Sequence, residues 1–340
     1  MNSFVTSLKI LARTAMKSKL IFTCFSLVGI IAVIISACNQ NSNSAANKPV
    51  VAVDSIWHAP DTSSISGNPD ATLIRYGQKL ISNTSYYLGP KGTVAQITNG
   101  MNCQNCHLQA GTKPFGNNYA SVASTYPKFR ARSGSIESIY KRVNDCIQRS
   151  LNGKAIDSNS KEMQAITAYI KWVGKDVPKK KVPYGSGIKE LAYLDRAADT
   201  IKGRFVYEQK CLVCHEKNGD GMKDPARTGY LYPPLWGEHS YTAGAGMMRI
   251  SRLAGYAKFN MPYGTNYPNS QLTDEEAWDV ASYINSQPRP THDISSDWPD
   301  ISLKPVDHPF GPFIDNFPEA QHKYGPFKPI AEAKKRLKKA

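Results

Sequence analysis

Two pentapeptides, Cys103-Gln104-Asn105-Cys106-His107 and Cys211-Leu212-Val213-Cys214-His215, carry the pattern C-x-x-C-H. Cysteines three apart can form thioethers to the two vinyl groups of one haem, while the adjoining histidine turns under the ring to ligate iron. The other use of C-x-x-C, a redox or zinc site, would want a further cysteine pair or spaced histidines, and neither motif has them. The chain therefore reads as a redox protein with two covalently bound haem c groups. Cys103, Cys106, Cys211 and Cys214 are the attachment points, and His107 and His215 the proximal ligands.

An iron held by one histidine needs a second ligand or an open position. In the second half, Met261 of Asn260-Met261-Pro262-Tyr263-Gly264 lies 46 residues past His215 and 12 before Thr273, where the distal arm of a small cytochrome c usually falls. The competing thioethers, Met247 and Met248, read as the start of a helical run to Ala257, and Met261 could also be a core filler. In the first half the corresponding place holds no methionine. Cys146, 39 residues past His107, stands there instead. A lone cysteine is ordinarily a small buried hydrophobe, but by position Cys146 is the natural distal ligand. Thiolate would stabilise ferric iron and keep the first haem at low potential, and thioether would hold the second higher.

The chain around Cys146 is basic. Lys128, Arg130, Arg132, Lys141, Arg142, Arg149 and Lys154 face only Glu137 and Asp145 between positions 128 and 154. On a helix running from about Ser135, Arg142 and Cys146 are four apart and share a face, which sets a guanidinium beside the sulfur. Solvated surface charges with salt-bridge partners would account for some of these residues. Arginine forks holding a tetrahedral oxoanion beside a haem-bound sulfur would account for the excess.

The elements that position these groups recur. Leu73 to Leu80 and Ile201 to Tyr207 read as opening helices, each with a glycine for close helix contact. Glu162 to Val173 and Leu272 to Ile284 read as closing helices, the second opened by a capping box of Thr273 and Glu276. The expected fold is all-α, two fused class I cytochrome c domains at 70–177 and 199–287, joined by a Pro- and Lys-rich linker at 178–198. Residues 81–102 are an insertion that would roof a cleft between the domains. Residues 288–340 read as an irregular extension with a basic tail, Lys334 to Lys339.

Residues 1–38 read as an export signal, with Lys17 and Lys19 before the apolar run Leu20 to Ile35 and small residues before Cys38, the candidate lipid site. A transmembrane anchor is the rival reading. Residues 39–69 would be a tether and N-terminal extension. Either reading puts the folded part outside the cytoplasm, on the periplasmic side. The formal charge of +15 falls to +11 without the leader's Lys9, Arg13, Lys17 and Lys19. With no nucleic-acid motif beside it, that charge points to small anions or an acidic redox partner.

The first C-x-x-C-H with its preceding Asn99-Gly100-Met101-Asn102, the stretch Arg142 to Lys154, and the second C-x-x-C-H with Asn260 to Gly264 resemble the dihaem c-type thiosulfate dehydrogenase / tetrathionate reductase family over roughly 70 to 287. The resemblance implies an oxidoreductase that couples two thiosulfate to tetrathionate. Electrons would pass through both haems to an exported cytochrome or similar small carrier. It implies His107/Cys146 ligation at a catalytic first haem, His215/Met261 ligation at an exit haem, and Arg132 and Arg142 beside the substrate. Cys146 would form a transient Cys-S-sulfonate adduct that a second thiosulfate displaces. Some members carry a lysine just before the methionine; this chain has Asn260 there, with Lys258 nearby. A dihaem electron carrier without its own substrate is the other reading.

Overall fold

Helix α1, Ala71–Ser82, and helix α4, Lys161–Val173, cross in a computed structural model that describes residues 56–337. The crossing needs Gly77, since a Cβ there would lie 2.0 Å from the Ala165 carbonyl oxygen. In the second half α5, Thr200–Lys210, crosses α7, Asp274–Ser286, and a Cβ on Gly203 would lie 1.9 Å from the Asp279 carbonyl oxygen. The same steric device therefore builds both domains. Their caps are also in place. Ser160 accepts from Met163 N–H at 3.2 Å, and the Thr273 and Glu276 side chains satisfy each other's backbone N–H at 3.1 and 2.8 Å.

Each crossing carries its own core. The first gathers Ile74, Leu80, Ile166, Tyr169 and Trp172; the second gathers Val206, Tyr207, Leu253, Trp278 and Ile284. Helix α6, Ile250–Asn260, packs on α7. Met247 and Met248 lie in the 3-10 turn Gly246–Met248 just before it. A third cluster joins the halves, with Met101 and Leu151 from the first packed on Tyr230, Tyr241, Ala245 and Met248 from the second.

The insertion 81–102 contributes to this seam. It contains the short helix α2, Thr84–Leu88, whose Ser85 hydroxyl donates to Thr228 O at 2.6 Å, and Asn99 donates to His239 O and Ser240 O at 3.0 Å. The linker is packed as well. Phe115 N–H bonds Gly185 O at 2.7 Å, the Trp278 indole bonds Ala192 O at 3.1 Å, and Arg196 forks Asp279 at 2.8 and 2.9 Å.

Three expectations change. The helix bearing Cys146, α3, Ile139–Ser150, does not begin near Ser135, because Ser138 accepts from Lys141 N–H and caps it there. The residues before it form strand β2, Ser135–Glu137, paired antiparallel with β1, Lys128–Arg130, in an otherwise helical domain. A second small ribbon pairs β3, Met222–Lys223, with β4, Tyr230–Tyr232. The C-terminal extension is more ordered than its composition suggests. It carries α8, Glu319–Tyr324, and α9, Phe327–Leu337, and seats Phe327 and Ile330 in the second core, 2 % and 0 % exposed. Lys334 to Leu337 of the basic tail therefore lie on a helix.

Upstream, the 3-10 turn Thr62–Ile65 buries Ile65 in the first core. The leader, Cys38 and the tether as far as residue 55 lie outside the described residues, so the export and lipid expectations fall there. Among the described residues no helix is long and apolar enough to cross a membrane.

Candidate functional site

All five described cysteines are unbridged. Both motif histidines are fixed at Nδ1 by a backbone carbonyl. His107 Nδ1 lies 2.5 Å from Asn117 O, and His215 Nδ1 lies 2.8 Å from Pro233 O. A ring nitrogen that donates to a backbone carbonyl fixes the tautomer and leaves Nε2 with its lone pair for a metal. Burial pushes His107 down to about 4 and lowers His215 as well, which keeps both rings neutral. The donor set, two thiols and a neutral imidazole in each motif, fits covalent haem c.

Cys146 lies with the first motif. Burial pushes the Cys103 and Cys106 thiols up to about 11 and about 12, and negative charge at Cys146 adds to each, while Tyr119 is raised by burial and by all three cysteines together. Cys103, Cys106, His107 and Cys146 thus lie together in the first domain, with Tyr119 stacked on His107 at 4.7 Å. The second domain reaches into it. Tyr256 OH donates to Asn105 O at 3.0 Å, and Tyr241 and Tyr256 both feel Cys106.

The arginines divide by partner. Arg149 is spent, its guanidinium forking Asp297 at 2.8 and 2.7 Å. Lys141 takes Asp145 at 2.6 Å and reaches Glu137 at 4.0 Å, and Arg130 lies 3.9 Å from Glu137. Arg142 has no hydrogen bond or ion pair of this kind among the described residues. Attraction to Cys146, one helical turn along α3, raises its pKa more than burial lowers it. Arg132 sits in the turn between β1 and β2. It donates Nη1 to Gly244 O at 2.7 Å and stands 3.9 Å from Asp297. Burial, then the neighbouring Arg149, pulls it down to about 10, against Asp297. The fold therefore brings Arg132, Arg142 and Cys146 into one electropositive neighbourhood, and the mutual repulsion of its cations favours an arriving anion.

Met261 caps the C-terminal end of α6, half-buried, and its loop returns toward the second motif through Tyr263, whose ring lies 6.1 Å from Tyr232, itself 6.4 Å from His215. Lys258 is held away by the Leu272 carbonyl and by Asp274 at 3.0 Å. Asn260 donates to Phe115 O at 3.1 Å across the domain junction. Met247 and Met248 lie in the interdomain seam. Sequence reasoning missed Asp297, Trp298 and the Gly244 carbonyl. The one available signal was the run Asp297-Trp298-Pro299-Asp300 in a stretch read as an irregular extension.

Residues 93–178 match the SoxA/TsdA cytochrome c domain family and residues 201–288 the cytochrome c family. A thiosulfate dehydrogenase of Psychrobacter arcticus is 34% identical over 267 residues, covering 78% of this chain and 76% of its own. One from Allochromatium vinosum is 36% identical over 229 residues, covering 65% of this chain and 81% of its own. The solved thiosulfate dehydrogenase (TsdBA) of Marichromatium purpuratum, in its as-isolated form, superposes with a TM-score of 0.64 at 27% identity. That match covers 73% of this chain and 53% of the solved one, so this chain spans about half its length. Two cytochrome c domains carry two covalently bound haem c.

Proposed function

The chain belongs to the thiosulfate dehydrogenase family, and on that premise we propose that it joins two thiosulfate ions into tetrathionate at the sulfur of Cys146. His107 and Cys146 would hold the iron of the first haem, and His215 and Met261 that of the second. The haems supply two one-electron acceptors, enough for the electron pair released when one S–S bond forms.

The observation that carries the reading is Arg142. A half-buried guanidinium one helical turn from the Cys146 sulfur, its largest electrostatic partner, with no side-chain hydrogen bond of its own among the described residues, offers N–H donors to a sulfonate beside that sulfur. Sulfur balance corrects the adduct expected from the sequence, since thiosulfate attack on a Cys-S-sulfonate would release trithionate. The outer sulfur of the first thiosulfate must bond to Cys146, giving Cys-S-S-sulfonate as two electrons leave. The outer sulfur of the second attacks that outer sulfur, tetrathionate departs, and Cys146 returns as thiolate. Arg132 and Arg142 bind sulfonate oxygens and offset repulsion between the dianions. Tetrathionate reduction is the same path reversed.

Electrons would pass to an exported cytochrome or similar carrier, and Cys38 would tether the enzyme at the periplasmic membrane surface. The test of the chemistry is Cys146→Gly. It is expected to keep both haems and lose nearly all thiosulfate oxidation; near-normal turnover would refute chemistry at this sulfur. A role confined to setting the potential predicts that Cys146→Met keeps part of the activity.

A further inference from the structure

Arg132 stands at the tip of a hairpin whose strands are three residues each, with Phe129 and Ile136 exposed. A ribbon this small is marginal on its own, so the place of Arg132 is decided by what packs on the tip. The C-terminal extension supplies that packing. Trp298 N–H donates to Arg132 O at 2.7 Å, and the Trp298 indole lies 5.6 Å from the Arg132 guanidinium. Pro299 fills the space beside Gly134, where a Cβ would lie 2.5 Å from Pro299 Cγ. The Asp297 carboxylate, 5% exposed, sits 3.9 Å from Arg132 Nε while it forks Arg149. The Gly244 carbonyl accepts from Arg132 Nη1. Asp297, Trp298 and Pro299 lie outside both stretches matched by the cytochrome families.

We infer that Asp297 and Trp298 are positioning residues for the anion, a strap that fixes Arg132 and withdraws Arg149 from the site. Arg132 is held on its Nε and Nη1 side. Nη2 has no hydrogen-bond partner among the described residues and remains for a sulfonate oxygen. Asp297 pairs Arg149 and leaves the guanidinium groups of Arg132 and Arg142 to face the anion. With Arg149 paired, the seat for that ion is the Arg132–Arg142 side next to Cys146. Loss of the Asp297 charge would free Arg149 to draw the ion away from the sulfur, and loss of the indole would let the hairpin tip move.

The inference rests on thiosulfate binding at Arg132 and Arg142. Its test compares KM and kcat for thiosulfate in the full-length holoenzyme and in Asp297→Asn, Trp298→Leu, Arg132→Ala and the Trp298→Leu/Arg132→Ala double variant. Positioning predicts a rise in KM of about tenfold in each strap variant, the weakening of one charge-assisted hydrogen bond, with kcat at saturating thiosulfate kept within twofold. Trp298→Leu should add nothing to Arg132→Ala, because it acts through that side chain.

A merely structural strap lowers the amount of active enzyme, and so kcat, at unchanged KM. That result overturns the inference, as do additive effects in the double variant. A fall in KM for Asp297→Asn also overturns it, by making Asp297 only a counter-charge. If Arg132→Ala leaves KM unchanged, the site reading itself fails. If Arg132→Ala raises KM and the strap variants do not, the strap alone fails.

Discussion

Arg142→Met removes the guanidinium that attends Cys146 and little else. Arginine and methionine have similar helix propensity, and position 142 is interior to α3, so the helix and the Cys146 backbone are expected to stay in place. The cost is worked from the partners. Lys141 already occupies Asp145 and approaches Glu137, so no carboxylate close to Arg142 is stranded when its charge goes. What is lost is the attraction to the Cys146 sulfur, the largest influence on Arg142, and the donors facing a sulfonate. Removal of one preorganised donor from a developing anion costs about 3 to 4 kcal/mol, roughly 10²- to 10³-fold in kcat/KM. Arg142 acts on the nucleophile as well as on binding, so kcat falls along with kcat/KM, unlike the pattern expected at Asp297. The assay is steady-state thiosulfate oxidation with a soluble one-electron acceptor, backed by single-turnover haem reduction followed by absorbance and by haem content per chain. Arg142→Lys keeps charge and loses the fork, and falls between the two. A variant with full haem content and kcat/KM within threefold of the parent would show that Arg142 is a structural charge and refute the reasoning.

Two further predictions concern the scaffold. Gly77→Ala and Gly203→Ala drive a methyl into a backbone carbonyl at the helix crossing; each should cost about 2 kcal/mol or more and lower Tm by roughly 8 °C or more, whereas Gly67→Ala, with nothing within 4 Å, should leave Tm unchanged. His308 is 5% exposed, lies 5.8 Å from Trp298, and is pushed down to about 3 by burial and then by Lys304. The unfolded histidine takes up a proton below about pH 6.5 while the folded one does not, so stability drains as pH falls from about 6.5 toward 3, by at most about 1.4 kcal/mol per unit. Thermal melts between pH 7.5 and 5 should show a shallower acid loss in His308→Asn, and identical slopes would exclude His308 as the cause.

What the sequence determined by itself is local. The C-x-x-C-H motifs, the caps at Ser160 and Thr273 and the one-turn spacing of Arg142 from Cys146 involve neighbours within about one or two turns. The 3.6-residue period and the hydrogen-bonding needs of a helix end decide such arrangements before any long-range packing. What only tertiary structure decided is the fate of the charges. Arg149 and Arg142 look equivalent in sequence, seven residues apart on one basic stretch. Asp297, 148 residues beyond Arg149, neutralises one and leaves the other to the sulfur. The hairpin that carries Arg132 has no signature in the sequence, and its second strand falls inside a helix expected from about Ser135, because strands of three residues have too few alternations to show a period. The strap that fixes it has no period at all. Its place depends on donors and acceptors finding partners across the fold, here Trp298 N–H on Arg132 O, 166 residues apart, and such pairings leave no trace in the spacing of residues along the chain.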